Sequence, residues 1–205
     1  MPEPWRILET RTTFRDRWLS VRTDRCVDRQ GREVAAYHVL EFPGWVNVVA
    51  LDPQRRIVLA REYRHGLGAV VTGLPCGSME PGDAGPEVAA RRELEEETGY
   101  RGGRFLPLSG LPANPANQDN TAWSFLALDV RPDGVRRPDP TEEIEVVLED
   151  FAPFLGRIWR GERSIQVSHA LALHQAGLYL MGDRGEDGAL RAALRAEFAR
   201  TIGPG

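Results

Sequence analysis

A glycine-rich turn that begins at Gly77 leads into the run Arg92-Glu93-Leu94-Glu95-Glu96-Glu97-Thr98-Gly99-Tyr100, the segment that most constrains the fold. On an α-helix, positions i, i+3 and i+4 share a face, so Glu93, Glu96 and Glu97 point the same way. Like charges at that spacing repel by about 0.2–0.5 kcal/mol per pair. The helix gains nothing from this arrangement unless a cation sits against it. Clustered carboxylate oxygens suit a hard divalent ion such as Mg²⁺, which keeps several waters and binds substrate phosphates. A solvated acidic face is the commoner fate of Glu-rich helices, but Gly77, Pro81-Gly82, Arg92 and Gly99 frame this one differently. Pro86 suits a first helical turn, Glu87 suits the positive end of the dipole, and Gly99 is a stop signal. The helix is therefore expected over 86–98.

The 205 residues suffice for one good core, with room for a small appendage. A net charge of −4 gives no electrostatic footprint for nucleic acid or an anionic membrane. All 26 basic residues are Arg, a composition bias, so every cationic contact to a phosphate must come from Arg or a metal. Cys26 and Cys76 have no metal-ligand spacing, and His38, His65, His169 and His174 show none either. No apolar run approaches the ~20 residues of a membrane helix, and the first residues lack the apolar core of a signal peptide. These features point to the cytoplasm, with both thiols reduced.

Strand signals cover 18–26 and 33–41, joined by a turn at 28–31, and again 44–51 and 56–62 across 52–55. Val70 to Leu74 enters the Gly77 loop. Strands at 122–130 and 144–148 follow, then helical periodicity over 151–159, 167–181 and 189–202. The organisation expected is an N-terminal antiparallel β-subdomain (1–43), a mixed α/β catalytic domain (44–182) and a C-terminal helical extension (183–205). Strands before the helix and helices after the sheet fit a layered α/β sandwich.

The central segment resembles the Nudix box: Gly, five residues, Glu, seven residues, then Arg-Glu-hydrophobic-x-Glu-Glu-x-Gly-hydrophobic. From Arg92 to Tyr100 every specified position matches. Asp83 stands where the family has Glu, and eight residues rather than seven separate it from Arg92. The insertion falls in the loop before Pro86 and preserves the helical register. The resemblance implies a Nudix-type α/β/α sandwich with a mixed sheet, and Mg²⁺ or Mn²⁺ held by Glu93, Glu96 and Glu97.

Arg61-Glu62-Tyr63-Arg64, the Leu74-Pro75-Cys76-Gly77 turn and Pro115 are similar to residues of the superfamily's ADP-ribose pyrophosphatases. The likeness implies a phosphate contact from Arg64, a substrate-marking Pro115, and adenine held between Trp18 and Tyr37. It also implies a homodimer formed by the N-terminal β-subdomain. Cys76 replaces the usual Ala whose carbonyl ligates metal, and Gly73 replaces a frequent Glu. A general base must reach the attacking water; in that group it is a Glu on a loop after a late strand. Here Glu142 or Glu143 could serve, with Glu143 favoured, and Glu96 is counted with the catalytic groups as well as the ligands. The reaction expected is hydrolysis of ADP-ribose to AMP and ribose 5-phosphate. Another nucleotide sugar such as GDP-mannose, or a non-catalytic ligand sensor, are the alternatives, with a small-molecule substrate and no nucleic acid or membrane partner.

Overall fold

The computed structural model describes residues 3–139, 141–182 and 187–202. These cluster into two compact units, one of 1–44 with 111–122 and one of 45–110 with 123–205. The first carries a three-stranded antiparallel sheet, β1 (Arg6–Arg15), β2 (Ser20–Val27) and β3 (Glu33–Glu41), in sequence order. β1 is a strand that its polar sequence hides: nine of its ten residues are exposed, so it has no alternating apolar face.

The second unit holds β4 (Trp45–Leu51), β5 (Arg56–Arg64), β6 (Ala69–Gly73), β7 (Cys76–Ser78), most of β8 (Arg104–Pro112) and of β9 (Thr121–Leu128), and β10 (Glu145–Asp150), with helices α1 (Pro86–Thr98), α2 (Phe151–Trp159), α3 (Val167–Met181) and α4 (Gly188–Ile202). The main path of the sheet runs β10-β5-β4-β9-β8, with β6 on β5 and β7 on β4. β8 carries two prolines and Gly110, turn-like punctuation that masks it in the sequence.

Side-chain alternation sorts the sheet into two cores. Val46, Val48 and Ala50 of β4 and Val58 of β5 pack with Ala89, Ala90 and Leu94 of α1. Val49, Leu51, Ile57 and Leu59 face the other way and pack with Phe151, Phe154, Leu173 and Leu194 of α2, α3 and α4. This is an α/β/α sandwich, whose helical layers exclude water from both faces of β4. The expected helices appear with bounds within one residue. Strand ends shift by up to two residues, as fraying edges do.

α4 belongs to the second core: Leu194 is fully buried and Leu190 nearly so, while Phe198 meets the Trp159 ring edge-on at 5.4 Å. Leu194→Ala is expected to lower the unfolding free energy by about 2–5 kcal/mol in denaturant titrations. A loss under 0.5 kcal/mol would show that α4 is peripheral.

Candidate active site

The apolar stripe of α1 ends in carboxylates. Ala90, Leu94 and Glu97 follow at i, i+4 and i+7, so Glu97 is carried into the protein by the same face that packs on β4. Its exposure is only 3%. Glu97 Oε2 accepts from the Cys76 backbone N–H at 3.2 Å. Glu93, one turn earlier, lies against Gly77, where a Cβ would fall 2.2 Å from the Glu93 carboxyl carbon. Only glycine lets that carboxylate close on the turn. Gly99, at φ 73°, ends the helix in the left-handed region, and its N–H donates to the Glu95 carbonyl at 2.8 Å.

Arg92 ties the helix to the preceding loop. Its guanidinium donates to Asp83 Oδ2 at 3.0 Å, the Ser78 carbonyl at 3.0 Å, Glu93 at 2.9 Å and Glu96 at 3.0 Å. Asp83 also accepts from the Glu80 N–H at 2.7 Å. Its shorter side chain is fully used in this clasp, which closes the lengthened loop. Glu96 sits on the rim, half exposed, while Glu93 and Glu97 lie deep.

Electrostatics follow burial. Desolvation first, then the Arg92 contacts pulling the other way, leave the Glu93 pKa at about 7. Desolvation, then the charges of Glu93 and Glu62, raise Glu97 to about 9. Burial and the charge of Glu97 push the Cys76 thiol upward. A hard divalent ion takes oxygen rather than sulfur, which leaves the Cys76 carbonyl as that residue's donor. Among the described residues no three carboxylate, thiol or imidazole side chains close into a ready-made cage. Two desolvated carboxylates whose charges oppose each other nevertheless fit a divalent ion that takes its remaining oxygens from water and substrate.

Arg64 and Glu62 share one face of β5, two residues apart. Arg64 Nη2 meets Glu62 Oε1 at 2.5 Å and Cys76 Sγ at 3.5 Å. Glu62, 8% exposed, sets its charge beside Cys76, on the strand next to Gly73. Period-2 alternation after Val58 and Ala60 was the signal that could have found it. A cleft of about 330 Å³ joins Glu62 and Arg64 to Glu142 and Glu143. The charge of Glu142 bears on Glu62, Glu93 and Glu97. The loop ahead of it is fastened to α1: Arg137 N–H donates to the Glu96 carbonyl at 2.9 Å, and Arg136 reaches the Glu97 carbonyl at 3.0 Å. Those bonds satisfy carbonyls that a helix end leaves open.

The remaining sequence-expected residues lie in the first unit. Tyr37 donates its hydroxyl to the Ala116 carbonyl, next to Pro115, and its ring meets Trp5 at 6.0 Å. Trp18 is exposed in the turn between β1 and β2, with Arg17 stacked 4.3 Å above it.

A family model described as the NUDIX domain matches residues 42–164, and one described as the nucleoside diphosphate sugar hydrolase N-terminal domain matches 5–40. The chain belongs to the Nudix family. Among its Nudix relatives, an ADP-ribose pyrophosphatase of Mycobacterium tuberculosis is 30% identical over 70% of this chain and 71% of its own length. One of Bacillus subtilis is 31% identical over 55% of this chain and 62% of its own length. A solved structure described as an ADP compounds hydrolase superposes with a TM-score of 0.77 at 23% identity, covering 90% of this chain and 98% of that one. The chain is thus an ADP-ribose pyrophosphatase-like Nudix hydrolase.

The raised carboxylates set a pH dependence. Folding favours the protonated forms of Glu93 and Glu97, so their contribution is fully present below pH ~4.5 and is lost as pH rises through about 7 and about 9. Glu97→Gln should melt several degrees above the wild type at pH 8 without metal, and level with it near pH 4.5. Equal melting temperatures at pH 8 would contradict the burial of a carboxylate there. Mg²⁺ affinity in calorimetry should rise from pH 6.5 to 9, with proton release.

Proposed function

We propose that this Nudix hydrolase cleaves the diphosphate of ADP-ribose to AMP and ribose 5-phosphate with Mg²⁺ or Mn²⁺ as cofactor. The observation that carries this reading is the pair of desolvated carboxylates, Glu93 and Glu97, closed on the turn at Cys76 and Gly77, with the charge of Glu142 bearing on both. Glu93, Glu97 and the rim carboxylate Glu96 would hold the metal with the Cys76 carbonyl. When bound, a divalent ion neutralises diphosphate charge and acidifies a water. Arg64, braced by Glu62, donates to a phosphate oxygen. The base takes the proton from the attacking water as the bond from phosphorus to the bridging oxygen breaks. Sequence reasoning favoured Glu143 for that role. The charge of Glu142 bears on Glu62, Glu93 and Glu97, which supports Glu142.

The second reading, another nucleotide sugar such as GDP-mannose, draws on the N-terminal match to nucleoside diphosphate sugar hydrolases. A panel of the two substrates with Mg²⁺, scored by AMP or GMP released, decides between them. Glu97→Gln should lose turnover by orders of magnitude. Glu142→Gln should lower kcat about 10²–10⁴-fold with little change in KM. Glu143→Gln is the control. The reverse order makes Glu143 the base, and two unaffected variants remove this loop from the chemistry.

The first unit supports a homodimer. Among its described residues only Cys26 and Val39 are buried apolar side chains, whereas Trp5, Ile7, Phe14 and Trp18 are exposed. So small a core needs association. Asp24 pairs with Tyr37, and the four steps back to Ser20 span about 13 Å, with Trp18 beyond in the turn. Within one chain these rings are too far apart to clasp a single base, so Trp18 and Tyr37 would hold adenine from two copies. No described helix is long and apolar enough to cross a membrane. The free thiols of Cys26 and Cys76 suit the cytoplasm proposed here. Light scattering should give twice the chain mass at micromolar concentration. A fully active monomer there overturns the assembly, and Trp18→Ala should raise KM for ADP-ribose well beyond its effect on kcat.

A further inference from the structure

His169, at the start of α3, has no role in the chemistry above. It is 2% exposed, and its Nδ1 accepts from the Leu74 N–H at 3.2 Å. A ring nitrogen that accepts carries no proton. Burial, with the charge of Arg64, holds the imidazole pKa down to about 4. The neutral ring therefore carries its hydrogen on Nε2. That donor has no partner among the described residues, and a buried N–H left without an acceptor is costly.

The ring also fills the place of a missing side chain. A Cβ on Gly73 would lie 2.9 Å from His169 Nδ1. Gly73 and His169 are one exchange: a glycine on β6 admits an imidazole from α3, which steadies the turn entering Cys76 and leaves a donor over.

His169 forms part of the wall of a cavity of about 670 Å³, within the usual range of small-molecule sites. Its wall includes Glu62 and Arg64, which also line the cleft of Glu142 and Glu143, so the two spaces share the proposed phosphate-binding groups. Thr72 and Gln166 add polar atoms, and Val70 and Ile165 an apolar surface. No Phe, Tyr or Trp is among its lining residues, and the planar groups it offers a base, Arg64, Arg163 and His169, are each tied to another residue. A sugar ring fits better, with its carbon face on the aliphatic side chains and its hydroxyls toward the polar ones. Asn47, whose buried amide also lacks a partner, is not on this wall.

We propose that this cavity receives the sugar half of the substrate, and that His169 Nε2–H donates to one of its hydroxyls. The inference rests on the nucleotide-sugar reading of the active site. Calorimetric titration of the full chain with ribose 5-phosphate and, separately, with AMP tests it without turnover. His169→Asn keeps an acceptor oxygen near Leu74 N–H and removes the distal donor. It should bind ribose 5-phosphate about tenfold more weakly and AMP as the wild type does. Val70→Trp, at a position 65% exposed, leaves the buried groups alone and fills the cavity. It should abolish ribose 5-phosphate binding, and it carries the test if His169→Asn does not fold. Wild type that ignores ribose 5-phosphate, or variants that bind it as wild type does, overturn the proposal. So does equal weakening of both ligands, which would make His169 a prop for the turn. Wild type that binds ribose 5-phosphate through His169 yet leaves ADP-ribose intact would overturn the reaction and keep the cavity.

Discussion

Two carboxylates are held out of water at the end of a helix whose preceding turns pack into a core. Glu97 is buried because Ala90 and Leu94 on the same stripe are buried, and the helix cannot turn it outward without undoing that packing. The cost of desolvation appears as the raised pKa values of Glu93 and Glu97. A site of this kind is destabilised alone and relieved by a cation, so the fold stores in its ionisation what binding releases.

Around that constraint the neighbouring residues are arranged as a frame. Arg92 offers one guanidinium to the helix carboxylates, the Ser78 carbonyl and Asp83, which fixes the turn against the helix it precedes. The one-residue lengthening of the loop is absorbed there, since Asp83 reaches both Arg92 and the Glu80 N–H. On the other side, Glu62 lies beside Cys76 and Arg64, with Gly73 one strand away open to the His169 ring.

The two units differ in how they meet the need for a core. The second divides the apolar side chains of β4 and β5 between two helical layers, and each layer is dense with fully buried residues. The first has a buried polar set instead. Thr10 donates to Asp24 at 2.8 Å and Arg22 pairs with it at 3.0 Å. Hydrogen bonds of this sort specify register but contribute little net burial, which is why its exposed aromatics bear on assembly.

The helices were legible because their signals are local: Pro86 and Gly99 bound α1, and four-residue recurrence marks the rest. The Nudix box was legible for the same reason, its carboxylates sharing one helix and one face. β1 and β8 were not, because a polar strand and a proline-bearing strand have no periodic apolar face to read. Depth was equally hidden. Glu93, Glu96 and Glu97 look equivalent in sequence, yet only packing against β4 and the Gly77 turn decides that Glu97 is buried, Glu93 largely covered and Glu96 on the rim. Glu62 had only the alternation of β5 to mark it and His169 had no local signal, since their importance comes from strands and a helix far apart in the chain. The sequence by itself determined the secondary structure of the catalytic segment and the spacing of its acids, which depend on dihedral preference and helical period. Tertiary structure alone decided their charge state, their second carboxylate and the imidazole at the cavity wall, because desolvation and hydrogen-bond partners exist only once distant segments have packed.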